Sequence, residues 1–309
     1  MNAGKTPKTS GEEHIYLVGH TPFKQYLDFM ATEPIDAQTL DRKLLADEWR
    51  AANEHMQKLQ QTEANWADDP PVQPIPKSME PLLARVHADP IYQKAFTAVP
   101  VEIGLVELDR LVVRQKTINL AHVKRLQDRI GASPSQETVY RHCLPFDHPT
   151  AAHRVGYVSN NTYVFVSESN DIRFLDSLVF RPQQVSGYQP HGPLAGVVGL
   201  VVGFGSNYLN AIATEGRLVL NNGSHRAYAL RQLGVTHVPC VLQKAKTRDE
   251  LTVVAAGALR RSPDLYLKEP RPPVMKDYFD DRVIKIVRMA PTARHVRIHF
   301  TVETVDVPE

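Results

Sequence analysis

The chain has 309 residues, 42% of them apolar, which is enough for one large domain or two modest ones around a sizeable core. Its 36 basic residues against 34 acidic ones leave a formal charge of +2, without the strongly basic footprint of a general nucleic-acid binder. The two cysteines, Cys143 and Cys240, are too few for a disulfide framework and are not spaced for zinc, so both are expected as small buried hydrophobes in a reduced compartment.

Residues 1–20 contain no apolar stretch of the kind a secretory signal needs. The longest apolar run, Leu194–Phe204, is about half of a membrane span. The expectation is a cytoplasmic protein without a membrane partner. From 36 to 66, Leu40, Leu44, Leu45, Trp49, Met56 and Leu59 recur at helical steps, predicting one long amphipathic helix capped by Asp36 or Thr39. The five prolines of residues 68–81 cannot continue it, because each removes a donor and restrains its predecessor. Residues 1–80 are therefore expected as a helical arm with a Pro-rich linker.

At Val99 the pattern changes to a valine-rich alternation, "VPVEIGLVELDRLVV", that predicts a strand leading into a turn. A helix follows, with Leu120, Val123, Leu126 and Ile130 on one face, Asn119 as cap and Gly131 just past its end. Residues 132–216 are expected as a β-rich insertion, with two strands about the turn Ser169-Asn170-Asp171 and a buried strand over 194–204. A strand, a helix, the short strand "HVPCVL" and a helix over 248–261 come next. After Pro270, Pro272 and Pro273, two alternating segments predict a C-terminal β-hairpin within 269–309. The fold class is α+β, with its main domain over 98–268.

The stretch "LVLNNGSHRAYALRQLGV", residues 218–235, carries the chemistry. A strand running through Asn222-Gly223 straight into a helix leaves the first helical amides without acceptors, and an anion fits there. Gly223 permits a left-handed or close-approach conformation, Ser224 can cap or donate, and Arg226 offers a planar fork suited to phosphate oxygens. His225 adds a donor whose charge is expected to change near neutral pH. A helix terminus contributes roughly 0.3–1 kcal/mol toward an anion, and a hydrogen bond to a charged group roughly 1.5–3 kcal/mol. Their sum corresponds to about millimolar binding, so the turn can anchor a phosphate but needs further contacts to hold a nucleotide tightly. The same letters also fit a plain turn and helix cap.

The string "LVLNNGSHRAYALRQLGVTHVPCVL" resembles the signature of the ParB/sulfiredoxin superfamily: strand, G-x-H-R turn, helix and "vPv" strand in that order. Residues 106–130, "VELDRLVVRQKTINLAHVKRLQDRI", resemble the opening of the same domain. Together the two segments cover about fifty residues, and most of the chain lies outside them. The resemblance implies a ParB/sulfiredoxin-like core that binds ATP or CTP, with Mg2+ as a candidate companion. It implies a phosphate cradle of Asn222, Gly223, Ser224, His225 and Arg226, approached from the opposite side by Arg114, Gln115 and Lys116. His225 and Arg226 would stabilise charge on the phosphoryl group. No metal ligands are assigned.

Departures from the family pattern narrow the activity. Ser224 stands where sulfiredoxins carry their reactive cysteine, which argues against sulfinic-acid repair. The polar loop "VRQKTIN" has no carboxylate where kinase members place a base, and Glu107 and Asp109 fit solvated positions at a strand end. No second recognition helix follows, so site-specific DNA binding is not expected. Nucleotide hydrolysis or small-molecule phosphotransfer is the expected activity, with a non-catalytic nucleotide-switched binding module or a nuclease as the alternatives.

Overall fold

The computed structural model describes residues 11–169 and 171–308. Residues 1–10, on which the absence of a signal segment partly rests, and Asn170, the centre of the expected 169–171 turn, lie outside the described residues. The described chain is mixed α+β with four sheets. It divides into one unit of residues up to 147 with 208–291, and another of 148–207 with 292–309.

In the first unit, β1 (Glu12–Leu17) is the central strand of a three-stranded sheet. Its side chains serve two cores: Ile15 and Leu17 enter the main one, while Tyr16 packs with Tyr26 and Met30 of α1 (Phe23–Thr32) and with Leu45 and Ala52 of α2 (Arg42–Thr62). Burial on both faces explains why the second half of β1, Ile15-Tyr16-Leu17, is apolar without alternation. The stretch expected as a helical arm therefore also supplies the middle of a sheet. Helix α2 begins later than expected: its cap is Asp41, whose carboxylate accepts from the Lys43 amide at 2.8 Å. Residues 37–39 form a separate 3-10 turn, and Leu44 faces solvent.

The Pro-rich stretch contains the two-residue strand β2 (Val72–Gln73) and leads into α3 (Glu80–Ala88) and α4 (Pro90–Ala95). Then come β3 (Val101–Glu107), β4 (Thr117–Asn119), α5 (Leu120–Ile130) and α6 (Gln136–Cys143). Helix α5 matches its sequence signals: the Asn119 side chain accepts from the His122 amide, and Gly131 ends the helix at φ +86.

The second unit begins with β5 (His153–Ser159) and β6 (Thr162–Ser167), followed by β7 (Ile172–Phe180) and β8 (Val197–Phe204). The strands expected on either side of the 169–171 turn do not pair with each other. Strand β6 lies beside β5, and β7 pairs with β8 in a two-stranded ribbon. Strand β8 occupies the segment expected to be buried, but it is half-exposed, with Val198 70% accessible.

Back in the first unit are β9 (Asn210–Thr214), β10 (Arg217–Asn222), α7 (Ser224–Gln232) and β11 (His237–Lys244). They complete a five-stranded sheet in the order β10-β9-β11-β3-β2, with β11 antiparallel to β3 and parallel to β9. Leu218 and Leu220 of β10 enter the larger core with Ala227 and Leu230 of α7, whereas Val219 enters a smaller one on the opposite face. The span 132–216 thus holds a helix and a strand of the main sheet besides the second unit. Cys143 and Cys240 are fully buried, and burial pushes the Cys143 thiol up to about 12.

The helix expected over 248–261 is three pieces with its neighbour: α8 (Arg248–Val254), α9 (Gly257–Arg261) and α10 (Asp264–Leu267). The break falls where Gly257 takes φ +60. Leu251 and Leu259 join Val219 in the smaller core. The expected C-terminal hairpin is not formed. Strand β12 (Ile284–Met289) pairs with β1, and β13 (Arg294–His299) pairs with β6. Alternation marks both as half-buried strands but does not choose their partners.

Candidate functional site

Strand β10 is held on one side by β9 and on the other by Val112, which donates to Leu218 O at 2.9 Å and accepts from the Leu220 amide at 2.8 Å. The 111–113 segment is fixed in turn by residues 273–275, through Val113 N to Pro273 O and Met275 N to Leu111 O, each 2.9 Å. The ladder breaks between Leu220 and Asn222, and Gly223 follows with φ +104 and ψ 22. A Cβ there would lie 3.2 Å from Leu209 Cγ, in a backbone region where side chains are strained, so this position needs glycine. Helix α7 starts at the next residue. The Ala227 amide returns to Gly223 O at 2.8 Å, and no side chain caps the end. The amides of Ser224 and His225, at the first two helical positions, have no acceptor within the helix.

Beneath the turn is a layer of amide side chains. Asn210 Oδ1 accepts from Asn221 Nδ2 at 2.9 Å and from Gln243 Nε2 at 3.1 Å, while Asn222 Nδ2 donates to Tyr208 O at 3.1 Å. Asn222 therefore braces the turn from below. Asn210 escapes sequence reasoning because an isolated asparagine inside a strand carries no motif, and Asn221 is overlooked beside the Asn222-Gly223 turn signal.

The polar loop before β4 divides. Arg114 reaches the turn: its Nη2 donates to Asn221 O at 2.7 Å and to Asn221 Oδ1 at 2.8 Å, and its Nη1 to Ala256 O at 3.0 Å. Gln115 turns back to Thr117 O at 2.8 Å, and its carbonyl accepts from the Tyr278 hydroxyl. Lys116 goes to α1, donating to Gln25 Oε1 at 2.9 Å. Burial lowers the pKa of both Arg114 and Lys116 from their ordinary values.

His225 is fixed as a neutral acceptor. The Asn119 amide donates to its Nε2 at 3.0 Å, which places the ring proton on Nδ1. Burial, and then the neighbouring His122 and His14, push its pKa down to about 3. The expectation of a charge change near neutral pH is therefore corrected: an imidazolium here would lose the amide bond and sit desolvated beside two other imidazoles. The His122 ring meets it edge-on at 5.1 Å. His14, on β1 opposite Asn119, has a buried Nδ1 without a hydrogen-bond partner. The same Asn119 caps α5, so the N-termini of α5 and α7 meet at one hydrogen bond. Sequence reasoning identifies Asn119 only as a cap, since its pairing with residue 225 spans 106 positions.

Arg226 is 7% exposed and turns inward, with Nη1 donating to Cys143 O at 3.3 Å at the end of α6. The two side chains expected to act on a phosphoryl group, His225 and Arg226, are thus both directed at protein groups. What the turn leaves over is the Ser224 and His225 amides, without an intrahelical acceptor, and the half-exposed Ser224 side chain. Of the acids considered for the site, Asp109 is held by Arg231 through bonds of 2.7 and 3.0 Å. Among the described residues, no group of three or more His, Cys, Asp or Glu side chains could hold a metal ion.

A separate cleft of about 570 Å³ is lined by Glu63, Arg271, Lys276, Asp277, Asp280 and their neighbours. Arg271, Lys276 and Arg282 pair within it with Glu63, Asp277 and Asp280. Arg271, fully buried, donates to Glu63, to both Asp277 oxygens and to Pro272 O, and His20 Nε2 lies 2.8 Å from Asp277. Hydrogen bonds from His20 and Arg271, with the Arg271 charge, overcome burial and hold Asp277 at about 2. This network anchors the 272–278 segment, and through it the 111–116 loop that presents Arg114.

Comparison with protein-family models, with curated proteins and with solved structures finds no match to this chain. Among the described residues, no helix is long and apolar enough to cross a membrane.

Proposed function

We propose that this chain binds a phosphorylated ligand at the N-terminus of α7, and that the ligand is a nucleotide, ATP or CTP, as the resemblance to the ParB/sulfiredoxin superfamily implies. One observation carries the reading: a left-handed glycine delivers β10 into α7 with the Ser224 and His225 amides free of intrahelical acceptors. The order β3, polar loop, α5, β10, turn, α7, β11 supports a ParB/sulfiredoxin-like core. The phosphate would accept from these two amides and from the Ser224 hydroxyl. Arg114, held at Asn221, would add positive potential from one side, and the adjoining N-terminus of α5 from the other.

Binding without chemistry is the reading favoured over phosphoryl transfer. His225 Nε2 already accepts an amide proton, Arg226 is engaged with Cys143 O, and the polar loop carries no carboxylate. Transfer needs charge neutralisation and a group that orients the nucleophile, and none of these side chains is placed for either task.

The test is thermal stabilisation by ATP, CTP and inorganic phosphate in wild type and Ser224→Asp. An aspartate in the first helical turn complements the helix dipole, so the variant should melt no lower than wild type. It repels an anion, so ligand stabilisation should disappear. Equal stabilisation of both proteins would remove the proposal.

A further inference from the structure

We infer that β8 is the self-association edge of this protein, pairing antiparallel with β8 of a second copy about a twofold axis at Leu200. The inference is independent of the proposed ligand, and it begins from a contrast within the molecule. An open strand edge is a template for another strand, and proteins block such edges with charges, prolines, bulges or shortness.

Among the described residues, the other edge strands are blocked. Strand β2 has two residues and β4 three. The outer side of β10 is bridged by Val112, and that of β12 carries Lys285 and Arg288 with a bridge from Pro34. Strand β13 carries Arg294 and Arg297, β5 carries Arg154 and a bulge before Ser159, and β7 carries Arg173, Asp176 and a bulge between Phe174 and Asp176. Strand β8, "VVGLVVGF", has eight residues, no charge, no polar side chain, no proline and no bulge of its own. One of its sides is paired with β7, and no described strand lies on the other.

Side-chain exposure points the same way. By register, Val198, Leu200 and Val202 share one ribbon face with Phe174, Ser177 and Val179, a face with no charge, whereas Arg173 and Asp176 lie on the opposite face. Val198 is 70% exposed, Val179 73%, Phe174 50% and Leu200 39%. A two-stranded ribbon of this kind is marginal in water until it gains strands.

The occupant follows from charge. A twofold contact sets a patch against itself, so any charge within it meets its own copy. Strand β8 has none to repel. Because facing residues must lie on one side of a sheet, the axis passes through a residue. With Leu200 on the axis, Val198 lies opposite Val202 and Gly199 opposite Val201, apolar against apolar along the strand. A charged partner strand would instead be desolvated against valines without a counter-charge.

The test is sedimentation of the full chain over a concentration series. Wild type should dimerise. Leu200→Lys sets like charges opposite each other and should raise the dissociation constant at least about tenfold. A mixture of Leu200→Lys with Leu200→Glu should recover a heterodimer. Val179→Lys, on the neighbouring strand, should leave the dimer intact. Should Leu200→Lys fail to fold by circular dichroism, Val198→Lys and Val198→Glu at the more exposed site give the same comparison of separate variants against their mixture. A wild type that stays monomeric, whether or not it captures an uncharged peptide, overturns the inference. So does a dimer unaffected by the lysine variants.

Discussion

His225 gives the sharpest test of how the turn is built. Below pH 6.5 the unfolded chain takes up a proton at this imidazole, while the folded chain refuses it until about pH 3. Acid therefore favours unfolding throughout that window, and the stability that His225 contributes is complete only above pH 6.5. One proton bound in the unfolded state alone approaches about 1.4 kcal/mol per pH unit below the unfolded value, which integrates to about 2 kcal/mol between pH 6.5 and 4.5. His14 and His122 are also lowered, chiefly by burial, and steepen the same slope. Asp277 and Asp280, each held at about 2 against an ordinary value of 3.8, lose their contribution only as the pH falls further. Urea unfolding of wild type and His225→Gln at pH 7.0, 5.5 and 4.5 isolates the effect. The variant keeps an uncharged acceptor near Asn119, so its stability should fall by about 1.4 kcal/mol less per pH unit than that of wild type. Parallel slopes, or an imidazole titrating near 6.5 by NMR, would refute the buried neutral acceptor.

Further outcomes follow from the same geometry. Asp277→Asn strands the fully buried Arg271 with Glu63 as its remaining carboxylate and should cost about 3–5 kcal/mol in urea unfolding, whereas replacing both members of the pair by apolar residues should cost less. Gly223→Ala adds a Cβ near Leu209 at a positive φ and should cost about 1–3 kcal/mol, weakening phosphate binding at the same time. Asn119→Ala removes the cap of α5 and the Nδ2 bond to Glu12 but leaves the backbone amide that holds His225, so calorimetry should register a loss of about 1–3 kcal/mol without a change in the His225 pKa.

Local signals were the legible part of the fold. The cap and stop of α5, the glycine that turns β10 into α7, and the buried run of β11 are each written in a few adjacent letters. Pairing was not. Strand β1, with three polar residues followed by Ile15-Tyr16-Leu17, gives no hint that its neighbours are β4 and β12, because register is settled by packing across more than a hundred residues. Strand β8 misled for a related reason: apolar content signals burial, but burial against a partner outside the chain leaves the same letters. At the candidate site, Gly223 could be placed from sequence because the turn needs it, whereas Ser224, read as a possible cap, stands at the first helical position and makes no side-chain cap bond. The direction of the side chains behind the turn could not. Arg226 points inward because α6 ends beneath α7 and presents a carbonyl, and His225 is neutral because it is buried beside His122 and His14 while β4 brings an amide to its ring.

The most direct measurement of the central claim is a 1H–15N titration of the full chain with CTP, ATP and inorganic phosphate. Binding at the turn predicts saturable downfield shifts of the Ser224 and His225 amides, with smaller changes at Arg114 and Asn119. Amides that stay fixed at 224 and 225 while the charged cleft around Lys276 and Arg282 responds would contradict it.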